Sequence, residues 1–230
     1  MSRKSRMHTE QANVERNAAE RGRRNKILVL VIVVALAMLG VGTVLHNGWA
    51  EKNAAEDIVP VATHRIEIDV QDYGVITAEL YGNVAPITVE NFVNLANEGF
   101  YDGLTFHRII SGFMIQGGDP LGNGMGGSEK RIKGEFSGNG VPNPIAHERG
   151  VLSMARSSSP DSASSQFFIM HQAAPHLNGS YAAFGRVLTG MDIVDAICAR
   201  TPVTDGNGTV ARANQPVINS IRVLAEESAE

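Results

Sequence analysis

One cysteine in 230 residues, Cys198, excludes an intrachain disulfide framework and any multi-cysteine zinc site. Charge is sparse and nearly balanced. Charged side chains make up 19% of the chain and the formal net charge is −4, which gives no ground for nucleic acid as the main partner. Nine prolines are too few for a proline-rich linker, and 24 glycines follow no collagen period. The apolar fraction of 43% excludes full disorder. The length allows one ordinary domain with extras, or two small ones.

The near balance hides an asymmetry. Residues 1–26 carry eight Lys/Arg against three acids, a net +5, while the remainder carries 12 against 21, a net −9. Between the basic leader and the rest lies Ile27 to Leu45, ILVLVIVVALAMLGVGTVL, 19 residues without a charge. As an α-helix it would rise about 28 Å, close to the hydrocarbon thickness of a bilayer. It has no polar face, so it does not read as a surface-lying helix. Trp49 follows at headgroup level, and the basic cluster Arg21, Arg23, Arg24, Lys26 precedes it. The positive-inside rule then keeps the N-terminus cytoplasmic and sends the C-terminal part outward. A cleaved signal peptide is the competing reading, because Gly48-Trp49-Ala50 loosely fits a small-x-small site; the protein would then be secreted. The long apolar run and long polar leader favour an uncleaved anchor. A buried soluble helix is the plainer alternative, and a lipoprotein anchor is excluded because no cysteine follows the run. The expected organisation is a basic cytoplasmic leader (1–26), a transmembrane signal anchor (27–45), a linker (46–61), a β-rich domain (62–224) and an acidic tail (225–230).

Twenty of the 24 glycines, and every Phe and Tyr, lie beyond residue 61. There the pattern is of short β-type runs punctuated by Gly, Asn, Asp and Pro. His64–Val70 alternates polar and apolar side chains. Gly74–Leu80, Thr105–Ile110, Met114–Gln116, Val151–Met154, Gln166–Met170, Ala183–Leu188 and Val217–Leu224 are further strand candidates. Pro86 suits a first helical position, with a stripe of Val89, Phe92, Val93 and Ala96 ending near Gly99. Met191, Val194, Asp195 and Cys198 mark a second, shorter helix. Many strands and two helices predict a barrel or sandwich, not a parallel α/β sheet. The Gly-rich stretch 117–140 and the Ser-rich stretch 157–165 read as surface loops.

Phe106 to Pro120 reads F-H-R-I-I-S-G-F-M-I-Q-G-G-D-P. Gly150 to Ala155 (G-V-L-S-M-A), Ser165-Gln166-Phe167-Phe168-Ile169, Pro175-His176-Leu177-Asn178-Gly179 and Phe184-Gly185-Arg186-Val187 follow in order, and Pro86-x-Thr88-x-x-Asn91-Phe92 precedes them. Together these blocks closely resemble the cyclophilin family of peptidyl-prolyl cis-trans isomerases over nearly all of residues 64–224. The resemblance implies a mainly β fold, a closed eight-stranded antiparallel barrel capped by two α-helices, here preceded by one N-terminal transmembrane helix. It implies proline-containing polypeptides as partners.

The residue types suit that chemistry. An Xaa-Pro bond rotates over a barrier of about 20 kcal/mol because its C–N bond is partly double. In the twisted state the proline nitrogen regains its lone pair. A donor aimed at that nitrogen stabilises the twisted state above either planar one. No nucleophile, cofactor or metal is needed. His147 and His171 lack metal-ligand spacing, and no Gly-Lys-Ser/Thr follows Gly117-Gly118 to make a phosphate loop. A permanently cationic arginine is a donor that shuttles no proton, and the resemblance makes Arg108 the catalytic one. It also assigns Gln116 to orienting that arginine and bonding the substrate backbone. Phe113, Met114, Phe168 and Leu177 take the family's proline-pocket positions. Gly124, Gln166 and the run Ala155-Arg156-Ser157 take the groove, where backbone would bond an extended peptide.

Four positions depart from the family's best-known pattern. Arg156-Ser157 replaces a common Asn-Ala pair and brings a charge near the substrate. His176 stands where many members carry a tryptophan that binds cyclosporin, which counts against binding of that drug. Tyr181 replaces a frequent histidine and keeps the capacity to pack on a ligand and donate. Phe106, Phe167 and Phe184 are expected in the core, His107 on the face opposite Arg108, and Cys198 as an inert buried thiol. A noncatalytic module that holds proline-containing segments, as a chaperone or docking site, is the rival reading.

Overall fold

The computed structural model describes residues 58–225. The expected anchor at 27–45, the expected leader and most of the expected tail therefore lie outside the described residues. Among the described residues no helix is long and apolar enough to cross a membrane.

Eight strands form: β1 His64–Val70, β2 Gly74–Leu80, β3 Phe106–Ile110, β4 Met114–Gly117, β5 Val151–Met154, β6 Phe167–Met170, β7 Ala183–Thr189 and β8 Ile218–Val223. They differ from the expected runs by a residue or so at the ends. All pair antiparallel in one sheet, in the order β3-β4-β6-β5-β7-β2-β1-β8. The expected closed barrel takes the form of a curled sheet with a short seam. Its two end strands meet through a bridge, Thr105 to Val217, flanked by the backbone bonds Phe106 N–H to Pro216 O (2.9 Å) and Ile218 N–H to Leu104 O (2.7 Å).

Alternation along the strands sorts side chains to two faces. Ile66, Ile68 and Val70 of β1 and Ile76, Ala78 and Leu80 of β2 are buried inside, while Arg65, Glu67, Val75, Thr77 and Glu79 are not. In the middle of the sheet both faces are covered. Ile115 of β4 with Phe167 and Ile169 of β6 enter the main core. Met114, Phe168 and Met170, one residue out of phase, join Val151, Ala174, Leu177 and Ala183 in a second cluster on the outer face. The candidate site is built on that second cluster.

Helix α1 (Pro86–Asn97) seats Phe92 in the main core, 5.0 Å from Tyr101, 5.3 Å from Phe167 (edge-on) and 5.2 Å from Phe184 between ring centroids. Phe106, Phe167 and Phe184 are fully buried, as expected. Ala85 at the N-cap offers no side-chain bond. The cap comes instead from Glu135, far along the chain. Its buried carboxylate accepts from Ile87 N–H (3.1 Å), Thr88 N–H (2.8 Å) and Thr88 Oγ1 (2.7 Å). An anion at a helix N-terminus meets both the orphan donors and the positive end of the dipole. The second helix, α2 (Met191–Arg200), buries Val194 and Ile197. Cys198 on α2 is half-buried, not fully buried as expected, and burial raises its thiol to about 11. It stays protonated at neutral pH and is a poor nucleophile.

Candidate active site

Arg108 owes its direction to a bulge. Phe106 pairs with Gly117 and Arg108 with Gln116, so β3 carries one residue more than β4 across this step. His107 is the extra residue and is 4% exposed, beside Gly124 of the Gly-rich loop, while Arg108 is half-buried and lines the outer cleft. Two acceptors hold the guanidinium. Its Nε donates to the Asn207 carbonyl (2.9 Å) and Nη1 to Gln116 Oε1 (3.3 Å). No acceptor for Nη2 is found among the described residues, so that end of the fork is free to meet a ligand. The loop carrying Asn207 is pinned by Asp205, whose carboxylate accepts from Asn207 N–H (2.9 Å) and Thr209 N–H (3.0 Å). The bond from Thr209 N–H leads the set that holds the Asp205 carboxyl below its usual range.

The polar line continues from Gln116. Its Nε2 donates to Gln166 Oε1 (2.8 Å), and Gln166 Nε2 donates to the carbonyls of Gly126 (2.7 Å) and Gly124 (3.1 Å). The direction of donation fixes both amide groups. The Gly-rich loop at its end is organised by Asp119. This fully buried carboxylate accepts from Leu121 N–H (2.8 Å), Asn123 N–H (3.1 Å) and Gly124 N–H (2.6 Å). Burial pushes its pKa up, but the backbone donors outweigh burial and hold it below the usual carboxylate range.

Beside the arginine lies a cleft of about 350 Å³, lined by Arg108, Phe113, Met114, Gln116, Ala155, Arg156, Phe168, His176, Leu177 and Tyr181. Met114, Phe168 and Leu177 form its nearly closed floor. Tyr181 meets Phe168 edge-on at 5.9 Å, and His176 stacks on Phe113 at 5.7 Å and 26°. Beneath the floor, His147 Nδ1 donates to Asn178 Oδ1 (3.1 Å), which already accepts from His147 N–H (2.8 Å), so Nε2 accepts from the buried Ser153 hydroxyl (3.0 Å). Burial lowers the His147 pKa and keeps this ring neutral. A second cleft of about 500 Å³ adjoins the first through Gln116, Ala155 and Arg156, and Gly124, Ser157 and Gln166 line it. All thirteen residues selected from the sequence thus border one continuous groove.

Three details lay beyond sequence reasoning. Arg156 does not project freely into the groove. Its guanidinium donates twice to the Ser180 carbonyl (3.0 and 2.9 Å) and stacks on Tyr181 (4.7 Å) and Phe136 (5.2 Å). Ala155 N–H is already bonded to the Gln166 carbonyl (2.9 Å) and Ser157 N–H to Ser162 Oγ (2.9 Å), which leaves Arg156 N–H as the donor of this run open to a peptide. Asn207, Ser180 and Asp119 act through main-chain carbonyls or a buried carboxylate. No side-chain pattern announces a carbonyl, although the turn chemistry of Asp205-Gly206-Asn207-Gly208 marks where the first would lie.

A groove fit for an extended chain, pinched around one ring-sized niche with a charged donor at its lip, defines a peptide-binding domain of the cyclophilin fold. Comparison with known proteins agrees. Residues 65–223 match the family described as cyclophilin type peptidyl-prolyl cis-trans isomerase/CLD, and the chain belongs to that family. It is 53% identical over 123 residues to peptidyl-prolyl cis-trans isomerase B of Bacillus subtilis, covering 54% of this chain and 82% of the relative. It is 42% identical over 150 residues to peptidyl-prolyl cis-trans isomerase CYP18-1 of Arabidopsis thaliana, covering 64% and 91%. Among solved structures it is similar to a Cryptosporidium parvum cyclophilin type isomerase crystallised in the presence of the dipeptide Ala-Pro. The TM-score is 0.62 at 32% identity, over 70% of this chain and 99% of the other. The protein is a peptidyl-prolyl cis-trans isomerase.

Proposed function

We propose that Arg108 is the catalytic group, acting by donation from its free Nη2 to the proline nitrogen as the Xaa-Pro bond twists. The arrangement of the guanidinium carries this reading. Two of its bonds fix its place, and the unengaged end borders a cleft floored by Met114, Phe168 and Leu177. The proline ring enters that cleft, where flat aromatic walls and an adaptable methionine suit it. The flanking peptide runs past Ala155-Arg156-Ser157 as an added strand, bonded at Arg156 N–H, and continues toward Gln166 and Gly124. Planar cis and trans states lack a nitrogen lone pair to accept the bond, so its energy is delivered in the twisted state alone. A 10⁵-fold acceleration requires roughly 7 kcal/mol, within reach of a charge-assisted hydrogen bond plus oriented binding. The crystallised relative's Ala-Pro dipeptide supports proline-containing chains as the substrate class. His176, in stacking on Phe113, offers no indole to cyclosporin, and weak binding of that drug is part of the proposal.

Arg108→Ala should lower kcat/KM on an Xaa-Pro peptide by about 10²–10³, the usual cost of removing one preorganised donor, with an unchanged circular dichroism spectrum. Turnover near the wild-type rate in the folded variant would defeat the assignment.

The apolar run 27–45 and the basic leader before it support a further part of the proposal. The isomerase domain is tethered by a signal anchor to the outer face of a cytoplasmic membrane, where it acts on exported or surface chains whose slow Xaa-Pro exchange delays folding. Membrane fractionation followed by N-terminal sequencing tests it. An intact Met1 in the membrane fraction is the expected result, and a soluble product starting near residue 51 would replace the anchor with a cleaved signal.

A further inference from the structure

The chain between β3 and β4 carries Phe113, whose N–H closes the turn on the Ile110 carbonyl at 2.9 Å. Gly112 adopts a φ of +82°, and a side-chain carbon placed on it would meet no atom within 4 Å. A glycine in open space at a left-handed turn is the least self-constrained residue a chain can have. The Gly112 amide itself is held by His171, just past the end of β6. Its Nδ1 accepts from Gly112 N–H at 2.8 Å. Its own N–H donates to the Phe113 carbonyl at 2.9 Å, an acceptor shared with Gln172 N–H at 3.3 Å.

The far side of the ring faces an acidic side chain. With Nδ1 accepting, the neutral imidazole carries its proton on Nε2, and Nε2 lies 3.0 Å from Asp195 Oδ1 on α2. Arg149 completes the set. Its Nη2 lies 2.8 Å from both Asp195 oxygens, and its Nη1 donates to the His171 carbonyl at 2.8 Å. The His171 side chain is 13% exposed, while those of Arg149 and Asp195 beyond it are 36% and 47% exposed. The chain of contacts runs from α2 through the imidazole to the Gly112 amide, one residue from an aromatic wall of the proline cleft.

We propose that His171 is a positioning residue for isomerisation: by accepting from Gly112, with Asp195 and Arg149 behind it, it sets the place of the Phe113 ring. The proposal rests on the reading of Phe113 as a wall of the proline niche. That wall touches the proline ring in planar and twisted states alike. Loosening it therefore weakens ground and transition states together, which raises KM and leaves kcat nearly unchanged.

The test is steady-state kinetics of the full chain on an Xaa-Pro peptide, at a temperature where each variant's circular dichroism is native. His171→Leu fills the space without offering an acceptor. It should raise KM about threefold to tenfold, below the ~10²-fold that a full ångström of misplacement can cost. His171→Asn, whose Oδ1 can replace Nδ1, should return KM to within about twofold of wild type (~0.4 kcal/mol). Phe113→Ala run alongside separates the two levels of the argument. Raised KM in Phe113→Ala with wild-type KM in His171→Leu overturns the positioning role and spares the niche. Unchanged KM in Phe113→Ala overturns both. Failure of His171→Asn to restore KM overturns the role of the Gly112 bond. If His171→Leu does not fold, His171→Phe takes its place: it keeps a ring at the position but offers no acceptor to Gly112 N–H, and it should show the same rise in KM, while a wild-type KM overturns the proposal.

Discussion

Arg108 works as a fork held by two tines. Nε on the Asn207 carbonyl and Nη1 on Gln116 Oε1 leave the third nitrogen without an acceptor among the described residues. Lysine's three donors sit on one compact nitrogen, which cannot occupy the separate places of Nε, Nη1 and Nη2 at once. Arg108→Lys should therefore keep its charge yet lose most of the activity, within about tenfold of the alanine variant, in a peptide-exchange assay. Gln116 has a different task. Removing it leaves the cation present but unguided on one side, and also releases Gln166 from its partner. Gln116→Ala should cost about tenfold to a hundredfold in kcat/KM, the range expected of small misplacement, while Arg108→Ala costs more. Equal losses in the two variants would mean that Gln116 does more than orient.

At the scale of elements, the site depends on contacts remote in sequence. Helix α1 begins at Pro86 with no cap of its own, and the Glu135 carboxylate, 2% exposed, supplies one. Glu135→Ala would strand the Ile87 and Thr88 amides and the Thr88 hydroxyl. Stranded buried donors cost about 1–3 kcal/mol each, partly relieved by relaxation, so a loss on the order of 3 kcal/mol is expected. Thermal unfolding should show this as a drop of about 6–12 °C. The helix itself was legible, because proline at the first position and the Val89, Phe92, Ala96 stripe are local signals. Its cap was not, because a glutamate 47 residues beyond Thr88 carries no mark of what it will meet. The bulge at His107 was equally hidden. Simple alternation already puts His107 and Arg108 on opposite faces, but the extra residue that aims the arginine appears only when β3 is laid against β4.

For the whole molecule, two buried histidines make stability depend on pH. Burial depresses the pKa of His107 and of His147 below the usual histidine value of about 6.5. Around His107, Asp119 opposes that depression and Arg108 adds to it; around His147, Asn178 opposes and His176 adds. The unfolded chain binds these protons more readily than the folded one. Their contribution to stability is therefore fully present above about pH 6.5 and is lost as the pH falls through the depressed folded values. The melting temperature should decline from pH 7.5 to pH 5, a range in which Asp119, held below the ordinary carboxylate range, stays ionised. Neither ring nitrogen of His107 has a hydrogen-bond partner among the described residues. His107→Leu should accordingly cost little at pH 7.5 and flatten the decline toward pH 5. An unaltered slope would assign the acid sensitivity elsewhere.

The sequence by itself determined the family, the strands and helices to within a residue or so, and the identities of the groove residues. Those depend on local periodicity, on turn chemistry and on ordered motifs, all written in neighbouring letters. Only the tertiary structure decided how the groove residues are held. It committed two sides of the Arg108 guanidinium, folded Arg156 back onto Tyr181 and Ser180, and left Arg156 N–H as the open donor of its run. It also tied Phe113 to α2 through His171. The physical reason is that a hydrogen bond is settled by which donor and acceptor arrive at the same place, and the partners here are main-chain carbonyls and amides that every residue carries.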